Sequence, residues 1–262
     1  MTSAFADTAW WVPLLLAVAA LLAGWVDAIV GGGGLIQLPA VLLMPGFTPV
    51  MAVATNKVGS IAGTTASAIT YHRRLRPDMR IAAPLAGVAF LGALGGALLA
   101  SHLPTSVFTP VIMVALAGVL VFVLVRPDFG SDEGGSPLAP GRVLARVLPF
   151  GLLVGVYDGT VGPGTGSFLV IGIAALTHVA FLHATAITKI VNAATNLGAL
   201  VFFVPLGVVH WRVGILLAVA NTAGGYLGAR TAVRLGSRFV RIVLIVVVVA
   251  LLARLGWQEF TA

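Results

Sequence analysis

Apolar runs of about 18 residues or more recur along this chain, for example Ile81 to Ala100, Val107 to Val125 and Phe239 to Ala253, each near the roughly 20 residues a spanning helix needs. Such runs are too many and too long for a soluble core. The 262 residues are 59% hydrophobic and only 9% charged, against roughly 25% charged residues in an ordinary soluble domain. Lipid rather than water is the main solvent, and the expected fold class is an all-α polytopic membrane protein. Met1 to Trp10 contains Asp7 and no Lys or Arg, so the positive n-region of a secretory signal is missing and Trp10 to Val30 reads as a retained first helix. The absence of cysteine removes disulfides, thiolate metal sites and thiol catalysis. The net charge of +7 comes from arginines clustered between apolar segments rather than along one amphipathic face. Nucleic acid is therefore not an expected partner, and the arginines fit the positive-inside bias of a membrane protein.

An internal repeat appears at an offset of about 131 residues. Gly24-Trp25-Val26-Asp27 matches Gly155-Val156-Tyr157-Asp158, and each is followed by a glycine-rich break, Gly31 to Gly34 and Gly162-Pro163-Gly164-Thr165-Gly166. After a one-residue shift, Asn56-Lys57-Val58 falls on Thr188-Lys189-Ile190, and Gly92 and Gly96 fall on Gly224 and Gly228. Residues 127–142 collect Pro, Gly, Ser, Asp and Glu without helical periodicity and read as a connector. The expected organisation is a first transmembrane repeat over 1–126, the connecting loop, and a second repeat over 143–262. Each half reads as five apolar segments, the second of them short. Arginines crowd the loop after the third segment of the first half, His72 to Arg80, and the loop after the fourth segment of the second, Arg230 to Arg241. Equivalent loops therefore face opposite sides. That reversal needs an odd number of crossings per half, which favours about ten segments in two inverted repeats, both termini outside, with broken helices near the midplane.

Charges inside spanning segments are expensive, so they point to function. The only two lysines, Lys57 and Lys189, lie in apolar segments at equivalent places, as do Asp27 and Asp158. These groups either pair across the halves merely to neutralise one another, or the lysines bind a substrate anion while an aspartate titrates or orients them. Asp158, in the fuller polar neighbourhood, is the favoured coupling group and the candidate carboxylate for Lys189. A helix broken at membrane depth must line a cavity, and a helix restarting at Gly33-Gly34 or Gly164-Thr165-Gly166-Ser167 points its N–H groups and positive dipole end there, a ready anion site. Pro163 breaks the preceding helix. Thr188, Lys189, Asn192 and Asn196 share one helix face, and Asn56, Lys57, Ser60 and Thr64 repeat the stripe, as interhelical glue or as a substrate path. For Gly92, Gly96, Gly224 and Gly228, close helix packing is the preferred reading. No phosphate loop is present, because no Lys follows Gly162 to Ser167, and no catalytic or metal-binding constellation stands out.

At these residues the chain resembles the sulfite exporter TauE/SafE family, also called the toluenesulfonate uptake permease family. The match rests on Gly155-Val156-Tyr157-Asp158-Gly159, Gly162-Pro163-Gly164-Thr165-Gly166-Ser167-Phe168, Thr188-Lys189 with Asn192 and Asn196, and, in the first half, Gly31 to Gly34 with Thr55-Asn56-Lys57. The resemblance implies a multi-pass protein of the cell membrane, in bacteria the inner membrane, that carries small anions such as sulfite or organosulfonates, driven by the proton gradient. It implies no cofactor and no enzyme activity. An anion channel with the same site, a carrier of small carboxylates, and an intramembrane enzyme or non-transporting subunit are the competing readings. The oligomeric state stays open, a homo-oligomer included.

Overall fold

The computed structural model describes residues 11–100, 140–160 and 162–261, and among them every regular element is a helix. In chain order these are α1 (Trp11–Val30), α2 (Gly34–Leu42), α3 (Pro49–Leu75), α4 (Met79–Ala100), α5 (Pro140–Thr160), α6 (Thr165–Thr177), α7 (Phe181–Phe203) and α8 (Trp211–Thr261). The expected fifth segment of the first half and most of the connector lie outside the described residues. In the second half the fourth and fifth segments are the two arms of α8, which kinks at Gly236 (φ 76°, ψ −174°). Local chemistry sets several ends: Thr48 Oγ1 accepts the Met51 N–H at 3.3 Å ahead of Pro49, and Arg76 leaves α3 in the left-handed region just before Pro77.

Four described helical stretches have the length and apolarity to cross a membrane: Trp11–Val30, Met79–Ala100, Val143–Thr160 and Phe181–Phe203. The second segment of each half does not. With 9 and 13 residues, α2 and α6 rise about 13 and 20 Å, short of the roughly 30 Å hydrocarbon core. Each instead folds back along its predecessor. Leu16 and Ala20 of α1 cluster with Val41 in the last turn of α2 and Met44 just beyond it, while Gly33 at the near end abuts Ala23 and Asp27. In the second half, Tyr157 stacks edge-on with Phe168 at 5.3 Å, and Phe150, a turn or two earlier, meets Gly172. Both pairs are thus antiparallel hairpins. Their tips touch backbone to backbone: a Cβ on Gly166 would fall 2.3 Å from the Gly31 Cα, and one on Gly31 2.2 Å from Gly166. Only glycine fits there, and Gly31 also needs φ +80°.

Around the hairpins, the equivalent helices α3 and α7 run antiparallel. Near the end of α3, Tyr71 donates to the Ala28 carbonyl at 2.8 Å. Near the start of α7, Thr185 donates to the adjacent Ile29 carbonyl at 3.4 Å. At the other end, Phe203 of α7 clusters with Ala54 of α3. The first arm of α8 runs parallel to α3, Val58 meeting Gly214 and Gly63 meeting Asn221. The four glycines assigned to packing do pack: Gly92 and Gly96 lie against the Leu152 and Val156 backbones, and Gly224 and Gly228 against those of Leu21 and Trp25.

Candidate functional site

The hairpin tips and the middles of α3 and α7 converge on four charges, three of them buried and Asp27 partly so. Lys57 Nζ donates to Asp158 Oδ2 at 2.7 Å, with side chains 3% and 4% exposed. Lys189 Nζ donates to Asp27 Oδ2 at 3.0 Å and also to the Asp27 carbonyl oxygen, with side chains 0% and 16% exposed. Each pair takes its ammonium from one half and its carboxylate from the other, so the cluster is neutral. The partner of Lys189 is therefore Asp27, and the expected Lys189–Asp158 pairing is corrected. The antiparallel course of α7 sets its first turns against the end of α1, which separates Lys189 from the aspartate of its own half. Burying such groups stabilises little net, but removing one partner leaves a charge in low dielectric, at a cost of roughly 3–5 kcal/mol.

Between the pairs lies a cavity of about 30 Å³, room for about two waters. Asp27, Lys57 and Asp158 border it, with Asn56, Asn192 and Asn196 from the polar stripes of α3 and α7, and Gly34, Thr165 and Gly166 from the two breaks. The first-turn N–H groups of Gly34 and Gly166 have no acceptor among the described residues. They are equivalent donors at the starts of α2 and α6, where the helix dipole favours negative charge. The Asn56 Oδ1 and Thr188 Oγ1 atoms, equivalent in the repeat, are buried without a hydrogen-bond partner among the described residues.

Gly33, Gly164, Ser167, Thr188 and Lys189 do not border the cavity. Gly164 (φ 85°) caps α6, its carbonyl accepting from Ser167 and Phe168 N–H groups at 3.0 and 3.2 Å. Gly33 does the same for Ile36 and Gln37 in α2, and its own N–H donates to Asp27 Oδ1 at 3.4 Å. The expected hydroxyl donors are engaged with the broken backbone: Thr165 Oγ1 donates to the Gly162 carbonyl at 2.7 Å and Ser167 Oγ to Val30 at 2.8 Å. Thr188 and Lys189 are fully buried away from the cavity. In the second half Lys57 is what meets the break, its Nζ 3.2 Å from where a Cβ on Gly162 would sit.

Two buried amides escaped sequence reasoning. Asn221 Nδ2 donates to Gln37 Oε1, and Gln37 Nε2 donates to the Asn56 carbonyl at 3.4 Å. The signal was there: Gln37 is the one polar side chain in Gly34–Leu42. Tyr157, whose hydroxyl donates to the Pro163 carbonyl at 2.6 Å, likewise braces the second break.

The chain is similar to a family of membrane transporters. The profile of the family described as sulfite exporter TauE/SafE matches residues 16–255. A probable membrane transporter protein, ORF9, of Sinorhizobium sp is 34% identical over 249 residues, 95% of this chain and 94% of the relative. The probable membrane transporter protein YfcA of Escherichia coli K12 is 31% identical, covering 94% of this chain and 91% of its own. A probable membrane transporter protein of Haemophilus influenzae is 30% identical, covering 91% and 93%. No solved structure matches the chain.

Proposed function

The chain belongs to the sulfite exporter TauE/SafE family of membrane proteins, and from that premise we propose that it is a secondary transporter of small anions, sulfite, organosulfonates or related sulfur oxyanions, moved together with a proton by alternating access. The observation that carries this reading is the pair of cross-half ion pairs flanking a small polar cavity. A neutral buried cluster gains one negative charge when an anion enters. The anion draws an ammonium away from its aspartate, and the carboxylate released from that ion pair is the group that takes up a proton. One anion and one proton then travel as a neutral unit. Lys57 borders the cavity and Lys189 does not, which supports Lys57 as the ammonium that meets the anion in this closed state, with Asp158 as the proton acceptor. The N–H groups of Gly34 and Gly166 and the amides of Asn56, Asn192 and Asn196 complete the donor set.

The same reading places the repeats, 1–126 and 143–262, in inverted orientation. It rests on the antiparallel α3 and α7 and on the equivalent hairpins. A hairpin that enters and leaves on one face removes two crossings from a half and so keeps the odd parity that the arginine bias demands. This arrangement replaces five crossings per half without moving any loop to the other side. The ion pairs lie near the midplane, where transporters of inverted-repeat design hold substrate. Thermal shift of purified protein against sulfite, sulfate, thiosulfate, sulfoacetate and small carboxylates tests the substrate class, because only a ligand of the folded state raises the melting temperature. A sulfur oxyanion is expected to stabilise the protein. A response to carboxylates alone overturns the assignment.

A further inference from the structure

The two arginine clusters that the charge bias assigns to one side also meet in space. Arg74 at the end of α3 and Arg230 and Arg234 on α8 border an open cavity of about 450 Å³, together with Leu227, Thr231 and Val233. That volume lies within the roughly 300–1,000 Å³ of small-molecule sites. All three arginines are exposed, and among the described residues none of the three has a carboxylate within ion-pair distance. Arg230 is held in place by Tyr226, donating to its hydroxyl at 2.9 Å with the guanidinium carbon 5.4 Å from the ring centre.

Depth and surroundings identify the ligand. Arg74 follows Ser60, which borders the central cavity, by 14 residues of α3, a rise of about 21 Å. From a midplane cavity, that distance passes the roughly 15 Å half-thickness of the hydrocarbon and reaches the headgroup layer. Below the arginines, Leu227, Tyr226, Val219 and Ile215 form an exposed stripe at helical spacing on α8. Three unneutralised arginines at phosphate depth above an apolar track suit an amphiphile with an anionic phosphodiester head. We infer that this cavity is a binding site for the headgroup of an anionic phospholipid, with an acyl chain along α8, tying α3 of one half to α8 of the other.

The test is the melting temperature of delipidated protein in detergent, which involves no transport and so stands apart from the central anion site. Phosphatidylglycerol at about 100 times its dissociation constant is expected to raise it by on the order of 5 °C. Phosphatidylcholine and inorganic phosphate are expected to give less than half of that. The triple variant R74Q/R230Q/R234Q loses the shift, and R73Q/R76Q/R80Q, of equal charge, keeps it. Equal shifts in both triples, or a full shift with phosphatidylcholine or with phosphate alone, overturn the proposal. Where the first triple shows no cooperative transition, Arg234→Gln replaces it. At least a halved shift is expected there, and an unchanged one overturns the site.

Discussion

At the scale of single residues, the account turns on which lysine answers to which aspartate. Lys57→Met strands Asp158 and is expected to cost roughly 3–5 kcal/mol at neutral pH, measured by thermal or denaturant unfolding in detergent. Lys57→Met with Asp158→Asn should recover most of the stability and still fail to transport. Lys189→Met is rescued in the same way by Asp27→Asn and not by Asp158→Asn, a double-mutant comparison that reads the pairing directly. Equal rescue by either aspartate change contradicts the cross-half pairs. The four charges were legible in the sequence because a charge in an apolar run has few innocent explanations. Pairing across the halves was one reading the sequence offered, but it could not be selected there, because it depends on how two halves about 131 residues apart are turned against each other. Gln37 and Asn221 stayed hidden because a neutral amide disturbs an apolar segment far less than a charge does.

The elements that build the site are the two hairpins, and their contact is glycine against glycine. Gly166→Ala places a methyl group 2.3 Å from Gly31 Cα, so the tips must part, with an expected loss of about 1–3 kcal/mol and of transport. Gly95→Ala is the control: nothing lies within 4 Å of its added Cβ, and in a helix the change is expected to be neutral or stabilising by up to about 1 kcal/mol. Unfolding midpoints and uptake of both variants settle the point, and a harmless Gly166→Ala would mean that the tips do not need their contact. The glycine runs announced a break because they weaken a helix too much to serve packing alone. Apolar periodicity fixes a segment's length and face but not whether the next segment continues across or turns back, which is why α2 and α6 read as crossings.

For the molecule as a whole, the proposed inverted arrangement assigns a side to each described loop. In this cysteine-free chain, Arg73→Cys and Arg238→Cys are expected to react with an impermeant thiol reagent from the cytoplasmic side. Leu43→Cys and Leu206→Cys, both exposed, are expected to react from the opposite one. Labelling of the first two from different sides dissolves the inverted repeat. The arginine bias suggests this topology in the sequence because orientation is set by flanking charge, whereas the cavity between the hairpin tips rests on tertiary contacts that no local pattern encodes. The most direct measurement of the central claim is internal pH in proteoliposomes carrying an entrapped indicator, challenged with a panel of sulfur oxyanions under an inward-directed proton gradient. The account predicts saturable lumenal acidification with at least one of these anions, absent in protein-free vesicles and lost in Lys57→Met and in Asp158→Asn. Anion entry without acidification, or acidification that survives both substitutions, would contradict it.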